Sequence, residues 1–387
     1  MTGNGLNHIQ CENLSFSRRL NDRSGCGQGL ISSLDHLEFY VGNAKQAAYF
    51  YEHQFGFTPT AFRGLETGDR KTASYVMEQG AIRFVLTSAI APDHPIGNYV
   101  TTHGDGVAVV AFAVTDVEQA YRNSVQRGAL SVAPPTDVED ADGLFRFATV
   151  QGYGDGLFKF VERQQYGGVF TPGFVPRPHP PGQALGELVA IDHVVANVER
   201  GAMDRWVKFF VQAFGFELLA HFDDQIISTE HSALMSKVVQ TSTGSIKLPI
   251  NEPAPGQRTS QIEEYLRFHR GPGVQHIALT THDIIKTVQR LKASGVAFLT
   301  VPQTYYDTLE ARVGPIHEPI AQLAELGILA DRNADGYLLQ IFTQPVTDRP
   351  TLFFEIIERH GAVGFGEGNF KALFESIERE QARRGNL

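Results

Sequence analysis

Ile191-Asp192-His193-Val194-Val195-Ala196-Asn197-Val198 restates, in the second half of the chain, the pattern Leu34-Asp35-His36-Leu37-Glu38-Phe39-Tyr40-Val41 of the first. Both segments are apolar and strand-like. Each leads into an amphipathic helical stretch and then a turn, Phe55-Gly56-Phe57 or Phe214-Gly215-Phe216. A second pair follows: Gly106-Val107-Ala108-Val109-Val110-Ala111-Phe112 against Gly273-Val274-Gln275-His276-Ile277-Ala278-Leu279. Both run into an acidic turn and a helix that stops near Gly128 or Gly295, where glycine suits a left-handed cap. Repetition on this scale decides architecture before any single element does. It predicts an α+β chain of four strand–helix–strands units, two per half.

The 387 residues are too many for one ordinary core, which also favours two domains. Between the halves, Tyr166 to Gly182 carries Pro172, Pro176, Pro178, Pro180 and Pro181. Closely spaced prolines remove amide donors and stiffen an extended backbone, so a linker is expected over 165–187. The expected domains are then 31–164 and 188–387, behind an N-terminal arm, 1–30. Further strands are expected around Ala81–Leu86, Phe145–Thr149, Val238–Gln240, Ile246–Leu248 and Tyr337–Phe342. Near the end, Phe370, Leu373, Phe374 and Ile377 form one apolar stripe of a helix expected over 367–384. Gly366 and Gly368 precede it as a candidate hinge, which makes the helix either a lid or a simple packing element.

A hydrophobic share of 42% and a charged share of 20% describe a globular chain. The net charge of −10, with no strongly basic stretch, argues against nucleic acid as a partner. No apolar run is long enough to span a bilayer. The polar segment Met1–Gly29 has no apolar signal core, and it holds the only two cysteines, Cys11 and Cys26. Free thiols in a flexible arm and a cytoplasmic location are the expectation.

Three strand-like segments of the second half each carry one metal-type side chain: His193, His276 and Glu355. Two imidazoles and a carboxylate on the walls of a sheet can occupy one face of an octahedral ion and leave the other face open. Singly, each is weak evidence, since a strand histidine is more often a hydrogen-bonded core residue. Glu355 says more, because Phe353, Phe354, Ile356 and Ile357 flank it and an unpaired buried carboxylate is costly. The repeat supplies a control. His36, Val109 and Lys159 align with the three ligands, and that set would not hold a divalent ion. The second half is therefore the metal-bearing one, and His36 is structural. The ligand set leaves iron and zinc both open.

From about Leu34 onward the chain resembles the 4-hydroxyphenylpyruvate dioxygenase family of the vicinal oxygen chelate superfamily. The likeness rests on Leu248-Pro249-Ile250-Asn251-Glu252-Pro253, Ser260-Gln261-Ile262-Glu263-Glu264-Tyr265 and Gly273-Val274-Gln275-His276-Ile277-Ala278. It continues through Gly336-Tyr337-Leu338-Leu339-Gln340-Ile341-Phe342-Thr343, Phe354-Glu355-Ile356-Ile357-Glu358-Arg359 and Gly364-Phe365-Gly366-Glu367-Gly368-Asn369-Phe370. The resemblance implies four βαβββ-type modules in two tandem chelate domains, each an open β-barrel with outer helices, plus a C-terminal lid helix. It implies Fe(II) on His193, His276 and Glu355, with 4-hydroxyphenylpyruvate and O2 converted to homogentisate and CO2. It implies a substrate pocket of Ser236, Asn251, Gln261, Gln275, Gln340, Phe342, Phe354, Phe365, Asn369 and Phe370. Amides and a hydroxyl suit the polar ends of such a molecule, and phenylalanine rings suit its aromatic body. Gln275 and Phe354 adjoin metal ligands, and neighbours on a strand face opposite ways, so both are expected behind the ion. The family forms dimers or tetramers. The alternatives are a 4-hydroxymandelate synthase with the same substrate and iron, a non-catalytic binding protein of the same fold, and a glyoxalase-type zinc or nickel isomerase. Phe342 and Asn251-Glu252-Pro253 look like the dioxygenase rather than the synthase.

Overall fold

The structure is a computed structural model that describes residues 30–178, 186–222, 234–254 and 259–386. Cys11, Cys26 and the expected arm lie outside the described residues, apart from Leu30. The first half supplies strands β1 (Ile31–Tyr40), β2 (Thr58–Arg63), β3 (Thr72–Gln79), β4 (Ile82–Ala89), β5 (Gly106–Val114), β6 (Ser131–Asp140), β7 (Gly143–Gln151), β8 (Leu157–Tyr166) and the short β9 (Val175–Pro176). The second supplies β10 (Leu188–Asn197), β11 (Glu217–Phe222), β12 (Leu234–Gln240), β13 (Lys247–Pro253), β14 (Gly273–Thr281), β15 (Leu329–Asn333), β16 (Gly336–Phe342) and β17 (Phe353–His360).

These strands form two sheets of one topology. The orders are β6-β7-β8-β5-β1-β4-β3-β2-β9 and β11-β12-β13-β10-β14-β17-β16-β15. Read from opposite ends, and leaving β9 aside, they superimpose strand for strand. Each half is two βαβββ modules joined through the antiparallel pairs β1–β5 and β10–β14. The four-unit reading of the repeat is thereby realised, as is the α+β class. β9 falls inside the Pro-rich stretch and pairs with β2. Phe170 and Phe174 of that stretch pack on Ala61, Val76 and Val85, so its first part is seated on the N-terminal sheet.

Alternation on the strands separates a polar face from an apolar one. On β17, Phe354 and Ile356 are fully buried and face away from Glu355. Phe354 packs its ring against Tyr51, Phe55 and Phe84 of the first half, at 5.0–6.0 Å between centroids. A second aromatic group joins Phe112, Phe158 and Phe160 to Phe210, Phe214 and Phe216. The main core thus runs through both halves, which are one packed body rather than two beads on a string. No described helix is long and apolar enough to cross a membrane.

The last helix, Phe370–Arg383, follows a short 3-10 turn at Glu367–Asn369. Its apolar stripe faces the protein as the spacing predicts, with Phe374 buried and Phe370, Leu373 and Ile377 half-buried. Phe374 packs on Phe222, Leu234, Val238 and Ile262, while Leu373 and Ile377 join Leu299, Leu329, Phe342 and Phe353. Arg384 and Asn386 pin its far end to Glu264. Gly366 is required where it stands: its φ of 77° is left-handed, and a Cβ there would lie 2.6 Å from Gln340 Oε1. Gly368 is held by its N–H, which donates to Asp331 at 2.9 Å.

Candidate metal centre

Register places the three candidate ligands on one face of the second sheet. His193 of β10 lies opposite Ala278 of β14, and Ala278 lies opposite Glu355 of β17. The row runs His193–Ala278–Glu355, and the small central residue leaves a gap between the outer two. His276, two residues before Ala278 on the same strand, points into that gap. The atoms meet: His193 Nε2 is 3.2 Å from Glu355 Oε2, and His276 Nε2 is 3.7 Å from the same oxygen. All three donors lie within 4.8 Å of one another, and all three residues are buried. Nitrogen and oxygen donors at this spacing suit one divalent ion of the iron or zinc kind.

The far sides of both imidazoles are fixed. His193 Nδ1 is 2.7 Å from Asp192, whose carboxylate also accepts two bonds from Arg359, at 2.7 and 2.8 Å. His276 Nδ1 is 2.9 Å from Gln275 Oε1. An acceptor at Nδ1 keeps the proton there and turns the Nε2 lone pair toward the centre. Both supporting residues are direct neighbours of the ligand they hold, which strict alternation forbids. Bulges allow it. Between Ile191 and His193, and again between Val274 and His276, one strand advances two residues while its partner advances one. The extra residues are Asp192 and Gln275, each re-aimed beside its histidine.

Charges follow from this packing. Burial opposes an imidazolium at His193, but Glu355 and Asp192 outweigh it and push the pKa up to about 9. Burial, then the charge on His193, pushes His276 well below the ordinary histidine value. Burial would raise Asp192, yet the Arg359 and His193 hydrogen bonds hold it well below the usual carboxylate range.

The first half keeps the frame and lacks the centre. Asp35 sits in the matching bulge, 2.5 Å from His36 Nδ1, and takes two bonds from Arg163. Lys159 stands opposite Ala111 as Glu355 stands opposite Ala278. Val109 takes the place of His276. Burial pushes the Lys159 ammonium down, with Glu38 and Asp35 opposing. The sequence alignment of His36, Val109 and Lys159 with the three ligands is reproduced by strand register.

A cavity opens over the three ligands, and the sheet wraps round it from β12 to β16. Ser236, Asn251, Gln261, Gln275, Gln340, Phe342, Phe365 and Phe370 line it. Phe365 meets His193 edge-on at 5.2 Å. Gln340 is buried, and its Oε1 has no hydrogen-bond partner. An orphaned acceptor at a cavity wall is suited to a donor brought by a ligand. Two expected pocket residues are placed elsewhere. Phe354 lies on the opposite face, in the interdomain core, as alternation demands. Asn369 is fully buried outside the cavity, its Oδ1 accepting from Tyr305 at 2.6 Å. Gln275, by contrast, reaches the cavity because of its bulge. Phe353 does line it, and stacks on the His276 ring at 4.7 Å. Its position two residues before Glu355 is the signal that could have found it. The terminal helix closes one wall with Phe370, Leu373, Phe374 and Ile377.

The family model for the glyoxalase/bleomycin resistance protein/dioxygenase superfamily matches residues 33–154 and 190–374. Among curated proteins, the chain is 46% identical to a 4-hydroxyphenylpyruvate dioxygenase of Caenorhabditis elegans, over 93% of this chain and 94% of that one. It is 45% identical to one of Yarrowia lipolytica, over 91% and 93%. Among solved structures, a triple mutant of 4-hydroxymandelate synthase from Streptomyces coelicolor matches with a TM-score of 0.81 and 35% identity, over 91% of this chain and 99% of that one.

Proposed function

The chain belongs to the 4-hydroxyphenylpyruvate dioxygenase family, and from that premise we propose that it converts 4-hydroxyphenylpyruvate and O2 to homogentisate and CO2, using Fe(II) held by His193, His276 and Glu355. The observation that carries the reading is the convergence of those three side chains beneath a cavity walled by amides and phenylalanines. The donor set fits the ion: one carboxylate and two imidazoles aimed by outer acceptors. Bound there, Fe(II) would supply Lewis acidity and the electrons that O2 activation needs.

The remaining tasks fall to the chain. Phe342 and Phe365 hold an aromatic ring by its faces and edges. Asn251, Gln261, Ser236 and Gln340 bind its polar ends and set which carbon faces the ligands. Asp192 and Gln275 keep both Nδ1 protons in place, so neither imidazole can turn away. The terminal helix excludes water from the cavity. No separate general base is called for.

The same pocket chemistry serves a hydroxymandelate-forming enzyme, whose structure is similar. Aerobic turnover of the Fe(II)-reconstituted protein separates the two. Homogentisate, with one CO2 released per O2 consumed, is expected. Hydroxymandelate as the main product would transfer the chain to the synthase activity, and no O2 uptake would remove the oxygenase reading.

A further inference from the structure

A second cluster of metal-type side chains lies on the outer side of β17. Glu358 and His360 alternate with Glu355, so they face away from the cavity. Glu318, from the segment before the helix Ile320–Leu326, reaches the same point. His360 Nε2 is 2.9 Å from Glu358 Oε1 and 3.2 Å from Glu318 Oε1, and the three donors lie within 4.8 Å of one another. Bonds of about 2.0–2.1 Å at tetrahedral angles set donors about 3.3 Å apart, close to these separations.

The repeat shows what is unusual here. Register aligns Glu162 of β8 with Glu358 of β17. Each gives one oxygen to the first backbone N–H of a helix, at Val117 or Ile284. In the first half the other oxygen of Glu162 faces Arg146, at 3.5 Å, from the neighbouring strand. In the second half that strand position is Leu339, which carries no charge. A second carboxylate, Glu318, has been added instead. The His360 Nε2 atom is buried and makes no hydrogen bond of good geometry, although two carboxylate oxygens surround it. Even as an imidazolium it would leave the pair of carboxylates one positive charge short. The Arg332 guanidinium lies over the Tyr337 ring and spends its N–H groups on the carbonyls of Val313 and Pro315.

The ring is also held ready. Tyr337 stacks flat on His360, with centroids 4.4 Å apart, and its hydroxyl binds Glu318 at 3.1 Å and His317 at 3.1 Å. A tyrosine thus orients two of the three donors, as an outer support does in a metal site. The His360 side chain keeps 28% of its surface exposed, which gives an ion a way in.

We propose that Glu318, Glu358 and His360 form a second divalent-cation site, of the zinc class, outside the catalytic centre. It clamps β17 to the segment that carries Glu318 and balances the two carboxylates. The site stands whether or not the catalytic reading above holds.

The test is equilibrium binding of Zn2+ to the full-length chain after chelation, by calorimetry and metal analysis. The Glu355→Ala variant removes the catalytic site from the count and should still bind one equivalent. Adding Glu318→Gln or His360→Ala to it should abolish that equivalent. Glu318→Gln tests the site should His360→Ala fail to fold. In the otherwise unchanged chain, Zn2+ should raise the melting temperature more than it does with Glu318→Gln. Failure of the Glu355→Ala variant to bind Zn2+, or retention of its equivalent after loss of Glu318, would overturn the proposal. Turnover of the iron-loaded Glu318→Gln variant should be unchanged; its loss would contradict a site separate from the catalytic centre.

Discussion

Asp192→Asn and Asp35→Asn make the same change in two copies of one structure, only one of which carries the candidate metal ligands. Each aspartate sits in a bulge, touches the Nδ1 of the next histidine and takes two bonds from an arginine. Both pairs are well buried: 7% and 17% exposed for Asp192 and Arg359, 5% and 23% for Asp35 and Arg163. Removing the charge should therefore destabilise both variants by about 3 kcal/mol, the low end for breaking a buried ion pair, because the amide keeps part of the hydrogen bonding. Metal affinity should separate them. Replacing the carboxylate that orients a ligating histidine costs about 10- to 100-fold. Asp192→Asn should show that loss on Fe(II) or Zn2+ titration, and Asp35→Asn should bind as the unchanged chain does. Thermal denaturation of the metal-free proteins gives the first quantity and calorimetric titration the second. Equal loss of metal affinity in both variants would show that the effect is general destabilisation, and the positioning role of Asp192 would have to be abandoned.

The raised pKa of His193 makes metal uptake pH-dependent: affinity should climb with a slope of about one log unit per pH unit up to about pH 9 and then level off. The sign for the metal-free fold is the reverse, since a raised pKa contributes stability that is complete below the unfolded value of 6.5 and lost as pH rises through about 9; a flat denaturation midpoint from pH 6 to 10 would deny it. Phe374, 2% exposed, anchors the terminal helix, so Phe374→Ala should cost about 3–5 kcal/mol locally, speed proteolysis of the C-terminus and raise KM, with metal content unchanged. Phe342→Ala should weaken substrate binding by about tenfold, the worth of one aromatic contact, without loss of iron; unchanged kinetics would remove Phe342 from the pocket.

Much of this was legible in the sequence because repetition and alternation are simple periods. The recurring Asp-His and the two Gly-Val strands located the four modules. Comparing the halves then separated His193, His276 and Glu355 from His36, Val109 and Lys159. What escaped was local or long-range. A bulge adds one residue and reverses the parity of everything after it, and nothing in Asp192 or Gln275 as residue types announces one. Phe353 and Phe354 differ by one position, and period two favours Phe353, although the family resemblance pointed to Phe354. Asn369 ends the short turn that begins after the positive-φ Gly366, and that turn directs its side chain to Tyr305. The cluster of Glu318, Glu358 and His360 draws on residues some forty positions apart, with no spacing motif to mark it.

The central claim is that one ion is gripped jointly by His193, His276 and Glu355. Anomalous diffraction at the iron edge, from crystals of the Fe(II)-loaded protein grown without oxygen, locates that ion directly. A single strong peak within bonding distance of His193 Nε2, His276 Nε2 and a Glu355 oxygen is expected. Iron found elsewhere, with those three side chains unligated, would contradict it.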